Sequence, residues 1–174
     1  MTEEGAVAVR CERWVVGWDP RQMPTLEEMA TLSPRLRAVV EALPLRSGMR
    51  VVEIGCGPGA AVRAVSELVG PAGHVLAVDR SPRAIEQVSR SASDLIAAGR
   101  VSVRHTPVEE LVLLPGEAPY DLAFAVRVGA FDGRFPDAGV RALGRLARVL
   151  VPGGQLFIDG GDPLRRLDLP TVQP

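Results

Sequence analysis

Three glycines within five residues, Gly55, Gly57 and Gly59, join an apolar run, Arg50 to Ile54, to a segment of helical spacing, Ala60 to Val69. This junction constrains the fold more than any other feature of the chain. The run before it is rich in β-branched residues and reads as a buried strand, while Val62, Val65 and Val69 fall on one face of the helix after it. A strand that enters a helix through glycines turns tightly and exposes backbone where a Cβ would keep a neighbour away. A second strand, Val75 to Asp79, ends in an acid 20 positions after Gly59. Ser81-Pro82 then caps a helix expected to run through Ile85, Val88, Leu95 and Ile96 to Gly99.

The alternation continues to the end of the chain. A third strand is expected over Val101 to Arg104, a short helical turn near Glu109 to Leu113, and a fourth strand from Tyr120 to about Val126. A last helix should cover Asp137 to Leu150. Pro152-Gly153-Gly154 reads as a reversal, followed by a fifth strand over Gln155 to Asp159. Parallel strands need crossovers, and right-handed crossovers place helices on both sides. The fold class expected is therefore α/β, a doubly wound, mostly parallel sheet with about five core strands and helices on both faces. In front of it, residues 6–16 alternate as a strand, Thr25 and Glu28 form a capping box, and Ser33-Pro34 starts a helix with Leu36, Val39, Val40 and Leu43 inward. Residues 1–46 thus read as an N-terminal strand and helical cap, 47–159 as the core domain, and 160–174 as a tail.

Size and composition agree with one soluble core. The chain has 174 residues, 47 % hydrophobic and 24 % charged, which is ordinary for a globular domain. Its 20 basic and 21 acidic residues leave a net charge of −1, so no positive field draws it to nucleic acid or an anionic membrane. No apolar run approaches the ~18 residues needed to span a bilayer, and the first residues lack the basic and apolar regions of a leader. A cytoplasmic location is the expectation. Cys11 and Cys56 are the only cysteines, and neither belongs to a metal-ligand spacing, so no metal site is expected.

In a doubly wound sheet the glycine turn lies at the carboxyl end of the strands, beside the point where strand order reverses, which is where such folds bind ligands. Asp79, at the end of the neighbouring strand, can accept bonds from both hydroxyls of a ribose. Loop and acid together bracket a nucleoside. Gly55, Gly57 and Ala60 also satisfy a relaxed dinucleotide fingerprint, so the loop by itself fits two cofactor classes. The motif series separates them. Val51 to Gly59, an acid followed by G-x-G-x-G with Pro58 inside it, resembles the first motif of class I S-adenosylmethionine-dependent methyltransferases. Tyr120-Asp121-Leu122-Ala123-Phe124 resembles that family's fourth-strand motif. Val149 to Leu156, with Pro152-Gly153-Gly154, resembles the turn before its fifth strand.

That resemblance implies S-adenosyl-L-methionine as cofactor. Its methionine part would lie over Glu53, Gly55, Cys56, Gly57 and Gly59, its ribose on Asp79, and its adenine beside Arg80. The family's third-strand motif supplies an acid near the adenine; here Arg104-His105-Thr106-Pro107-Val108 stands in that place. Thr106 then offers a hydroxyl and Val108 a backbone amide instead.

The reaction implied is methyl transfer to a small-molecule acceptor. Arg127, Asp132 and Arg134 follow the fourth strand as candidates for a group beside the methyl, Asp132-Gly133 reading equally as a surface turn. No catalytic residue is assigned. Of the two histidines, His105 falls at the ligand edge of the sheet and His74 at the opposite edge. Trp14 and Trp18 read as packing residues that border the acceptor pocket. The family continues past its fifth strand with a helix and an antiparallel strand pair, whereas Gly160 to Pro174 reads as polar and too short. The sheet is expected to end at strand five, its bare edge covered by residues 6–16 or by a homodimer partner. A cofactor-binding module without turnover and a nicotinamide-dependent oxidoreductase are the alternative functions.

Overall fold

The computed structural model describes residues 32–171. The strand over 6–16, the Thr25 capping box and both tryptophans lie outside the described residues. Helix α1 (Pro34–Ala42) starts at Ser33, whose side chain accepts the Leu36 amide at 3.3 Å. Strand β1 (Arg50–Ile54) leads through the glycine turn into α2 (Ala60–Val69), and β2 (His74–Asp79) into α3 (Pro82–Ser91) and α4 (Ser93–Ala97). Strand β3 (Val101–His105) is followed by a 3-10 turn (Val108–Glu110) and β4 (Tyr120–Ala125). Helix α5 (Pro136–Val149), β5 (Leu150–Asp159) and β6 (Leu164–Leu167) complete the order.

The six strands form one sheet in the order β3-β2-β1-β4-β5-β6. β1 to β5 are parallel and β6 is antiparallel to β5. The order reverses between β1 and β4. Period-2 alternation sorts the strand residues onto two faces. Val51, Val75, Ala77, Leu122 and Phe124 pack with residues of α1, α2 and α3 on one face. Val52, Leu76, Val78, Ala123 and Leu156 pack with α5 and the 3-10 turn on the other. Each of these side chains is almost fully buried, a gain of about 1.5–3 kcal/mol for a valine, leucine or phenylalanine relative to exposure. No helix among the described residues is long and apolar enough to cross a membrane.

Three local expectations are corrected. The helix after Ser81 breaks at Ala92, where φ is −117° and ψ 24°. The cause comes from outside the helix: Arg63 of α2 takes the Ser91 carbonyl at 2.7 Å and the Asp94 carboxylate at 2.6 Å. Next, Pro152-Gly153-Gly154 does not reverse the chain. β5 already pairs with β4 at Tyr120 and Leu150, and resumes at Leu122 and Gln155. β4 advances two residues there while β5 advances five, so three residues bulge out of the ladder around Gly153, whose φ is +81°.

The third correction concerns the sheet's end. The expectation that it stops at strand five is overturned by β6, which pairs antiparallel with β5 from Asp159–Leu164 to Leu156–Leu167. The tail does more than its polarity suggests, because Leu164 packs against one core cluster and Leu167 and Leu169 against the other. A strand pairing on this edge covers amides and carbonyls that would otherwise recruit another chain.

A chain ending at Asp162 should therefore melt earlier, by about 2–4 °C for each kcal/mol of lost packing, and scatter light increasingly with protein concentration. An unchanged midpoint with a monodisperse sample would refute the protective role of β6.

Candidate functional site

The glycine turn is tied down from two sides. The Gly55 and Cys56 amides both donate to the Val78 carbonyl, at 2.8 and 3.1 Å, which fastens the turn to the end of β2. The Gly57 amide donates to Asp79 Oδ2 at 3.0 Å, and the Ser81 amide to Asp79 Oδ1 at 2.8 Å. One carboxylate thus holds the loop after β1 and the entry to α3, while Ser81 itself caps that helix by accepting the Ala84 amide.

The turn's glycines differ in what they make room for. A Cβ on Gly59 would lie 2.5 Å from Val88 Cγ2, so this position serves the packing of α2 against α3; a Cβ on Gly55 would lie 2.7 Å from Val128 Cγ2. A Cβ on Gly57 would meet nothing within 4 Å. The loop is open there, but Asp79 is bonded to Gly57 directly rather than facing it across a gap.

Beneath the turn, Glu53 is 5 % exposed, and its Oε2 is buried with no hydrogen-bond partner. Burial first, and then the charge of Asp79, push its carboxyl up to about 8. Cys56 is buried next to it, and burial together with the Glu53 and Asp79 charges pushes the thiol up to about 12, which keeps it protonated and unreactive.

The open space is a cleft of about 410 Å³ at the carboxyl ends of β1, β2 and β4. Gly55, Asp79, Arg80, Thr106, Val108 and Glu109 line one wall, and the segment after β4 supplies the other through Val126, Arg127, Val128, Gly129 and Ala130, with Arg134, Phe135 and Ala138. Of the residues singled out from sequence, Gly55, Asp79, Arg80, Thr106, Val108, Arg127 and Arg134 meet in this cleft. Glu53, Cys56, Gly57 and Gly59 lie in or under the turn beside it. The Thr106 amide donates to the Asp79 carbonyl at 3.0 Å and its hydroxyl to the Pro107 carbonyl at 3.3 Å. Val108 opens the 3-10 turn without a side-chain cap, leaving its amide as a first-turn donor.

Glu109 was not singled out from the sequence, yet it puts an acid on the wall where Arg104 to Val108 have none. The signal was its place directly after Pro107-Val108, where a tight turn returns the chain to the sheet edge.

On the opposite wall, Arg127 has a φ of 57°, the one positive value outside glycine among the described residues. Its amide donates to Asp159 Oδ1 at 2.9 Å, and Asp159 Oδ2 pairs with Arg35 of α1 at 2.8 Å. Asp132 forms an exposed turn with Arg134, accepting its amide at 3.1 Å and its Nε at 2.8 Å. The Arg134 hydrogen bond holds the Asp132 carboxyl below its usual range. His105 stands at this edge of the sheet, its Nε2 3.0 Å from the Arg80 carbonyl, whereas His74 sits at the far edge between Gly99 and Ser102.

Comparison with known proteins matches residues 51–154 to a family model described as a methyltransferase domain. The chain is 30 % identical over 147 residues to a protein-L-isoaspartate O-methyltransferase of Methanothrix thermoacetophila, covering 84 % of this chain and 64 % of that protein. It is 28 % identical over 138 residues to a probable cobalt-precorrin-6B C(15)-methyltransferase (decarboxylating) of Saccharolobus solfataricus, covering 76 % and 63 % respectively. The chain thus spans less than two thirds of the length of either relative. Among solved structures, a SAM-dependent methyltransferase from Aquifex aeolicus superposes with a TM-score of 0.59 at 21 % identity, over 81 % of this chain and 72 % of that one, which is a likeness of fold. The matched segment runs from β1 through the glycine turn, the cleft and the β5 bulge, and this chain belongs to the class I S-adenosylmethionine-dependent methyltransferase family.

Proposed function

We propose that the chain binds S-adenosyl-L-methionine along the acidic wall of the cleft and transfers its methyl group to a small-molecule acceptor on the other wall. The observation that carries this reading is the buried, unpartnered Glu53 oxygen beneath an open glycine turn, beside a carboxylate at Asp79. A buried acid beside a half-buried carboxylate is repelled by it, and the arrangement asks for a cation. The residues fit a sulfonium that also carries an ammonium group.

Glu53, Gly55, Cys56, Gly57 and Gly59 would take the methionine part. Asp79 would take the ribose, since each of its oxygens spends one bond on a backbone amide and keeps further acceptor capacity. Arg80 and Thr106 would flank the adenine, with the Val108 amide and the Glu109 carboxylate recognising its edge. Bound there, S-adenosylmethionine supplies an electrophilic methyl: the acceptor's lone pair forms the new bond to carbon while the carbon–sulfur pair returns to sulfur. The protein's own work is alignment and exclusion of water. Neither Arg127 nor Arg134, the titratable residues on the second wall, can serve as a base near neutral pH. Among the described residues that wall offers no base, so the reading takes an acceptor whose nucleophile arrives deprotonated or loses its proton to solvent. The relatives are named for a protein acceptor and for a cobalt-precorrin acceptor, and a small molecule is the acceptor class proposed here.

Calorimetry with S-adenosylmethionine, and with NAD as comparator, tests the cofactor. Asp79→Asn should weaken binding of the former by about 10- to 100-fold, the worth of a charge-assisted bond of roughly 1.5–3 kcal/mol. Saturable NAD binding with no response to S-adenosylmethionine would overturn the reading.

Glu53 adds a pH dependence. The empty protein holds this proton up to about 8, and a bound cation favours the ionised form. Affinity, taken relative to Glu53→Gln, should climb as pH rises towards about 8 and level off above it. Without cofactor the sign is opposite: a carboxyl raised above its unfolded value contributes stability fully below that value and loses it as pH rises through about 8. Melting curves should therefore fall over this window in the parent and stay flatter in Glu53→Gln. Parallel curves for both chains would refute the role of Glu53.

A further inference from the structure

The two walls of the cleft carry opposite chemistry. Asp79 and Glu109 outweigh Arg80 on the first, and Glu53 lies under it. The second is lined by no acid among the described residues: Arg134 is engaged by Asp132 at 2.7 Å, and Arg127 makes no side-chain hydrogen bond or ion pair among those residues. The nearest carboxylate along the sheet edge, Asp159, is already shared between the Arg127 amide and the Arg35 guanidinium.

An exposed arginine is ordinary, but one held in the left-handed region is not. A residue with a Cβ pays for that conformation, and such strain persists where the surroundings over-determine it, most often at ligand sites. Here the over-determining contact is the Asp159 bond to the Arg127 amide, which fixes the backbone and leaves the side chain free. Around it the wall is apolar: Val128, Ala130 and Ala138 line the cleft, and the Phe135 ring, 50 % exposed, packs over Gly129.

We infer that Arg127 anchors an anionic group of the methyl acceptor, and that the acceptor is a small carboxylate with an apolar body. A guanidinium meets a carboxylate through two parallel hydrogen bonds, and Val128, Ala130, Phe135 and Ala138 on the same wall suit an apolar body beside it. This assignment rests on the cofactor lying along the acidic wall, which leaves Arg127 on the facing wall for the acceptor.

The test uses the full chain saturated with S-adenosylhomocysteine, titrated with benzoate, benzamide and inorganic phosphate as probes. Benzoate should bind at least about tenfold more tightly than benzamide, which shares its shape without the charge, and more tightly than phosphate, which lacks the apolar body. Arg127→Gln should lose at least about tenfold in benzoate affinity while S-adenosylhomocysteine binds as before. Arg127→Gly should show the same loss with no drop in melting temperature, because glycine accepts the left-handed backbone. Equal binding of benzoate and benzamide, benzoate binding that survives Arg127→Gln, or no benzoate binding to the saturated protein would overturn the inference. Phosphate binding as tight as benzoate would overturn its apolar part. Failure of S-adenosylhomocysteine to bind is a separate result, which removes the cofactor reading and this inference with it.

Discussion

The cofactor side of the cleft depends on the two bonds that Asp79 accepts. One oxygen fixes the glycine turn after β1 and the other fixes the start of α3. Because β1 and β2 are neighbours in register from Arg50–His74 to Ile54–Val78, the turn and the acid leave the sheet side by side. The carboxylate then converts that proximity into a defined spacing. Without it the turn would still be held by the Val78 carbonyl, but nothing would orient the Gly57 amide, and the open surface there would lose its shape. A charged acceptor is the suitable group because its bonds to amides are shorter and stronger than those of a neutral one.

The same economy governs the other wall. β4 lies on the far side of β1, so its continuation, Val126 to Ala130, faces the turn across the reversal in strand order. Asp159, at the end of β5, plays for this segment the part that Asp79 plays for the turn: one oxygen on a backbone amide, the other on a group from a different layer. Both strand-terminal acids act by joining a loop to a helix, and both do so where parallel strands end together.

The fold was legible because it depends on periodicity and punctuation that are local. The strands from β1 to β4, the helix starts at Ser33 and Ser81, and the alternation that implies a parallel sheet all follow from short windows. What was missed depends on distant partners. Ala92 carries no breaker signal, and the helix parts there because Arg63 competes for the Ser91 carbonyl. β6 was missed because Leu164 and Leu167 stand in a polar tail, and only the edge of β5 gives them a reason to pair. In the cleft, the turn and Asp79 were visible as spacing and Arg127 as a candidate after the fourth strand, but Glu109 was not singled out as a site residue. Glu109 stands on a 3-10 turn that overlaps the helical turn expected near Glu109 to Leu113, whereas the left-handed backbone of Arg127 is not written in residue type. Arg127 had been considered only as one of several groups after the fourth strand. Asp132, considered with it, turned out to serve its own turn.

The electrostatic logic of the cleft explains why its acids are placed as they are. Burying Glu53 without a partner costs more than burying a neutral side chain, and the protein avoids the full cost by keeping the carboxyl protonated while the site is empty. A cation entering beside Asp79 reverses the balance, since ionised Glu53 then gains a partner in a region where charges are poorly screened. In the proposed reading, binding and proton release are thereby coupled through one side chain. For a cofactor whose positive sulfur becomes neutral on methyl transfer, this coupling has a consequence for turnover. Acids held near that sulfur favour the charged reactant over the neutral product, so they assist binding and oppose the chemical step. A buried acid that can take up a proton once the positive charge has gone relieves that opposition. In the proposed reading Glu53 therefore serves capture of the methylated cofactor when ionised, and by regaining its proton lowers the cost of the positive charge lost on transfer.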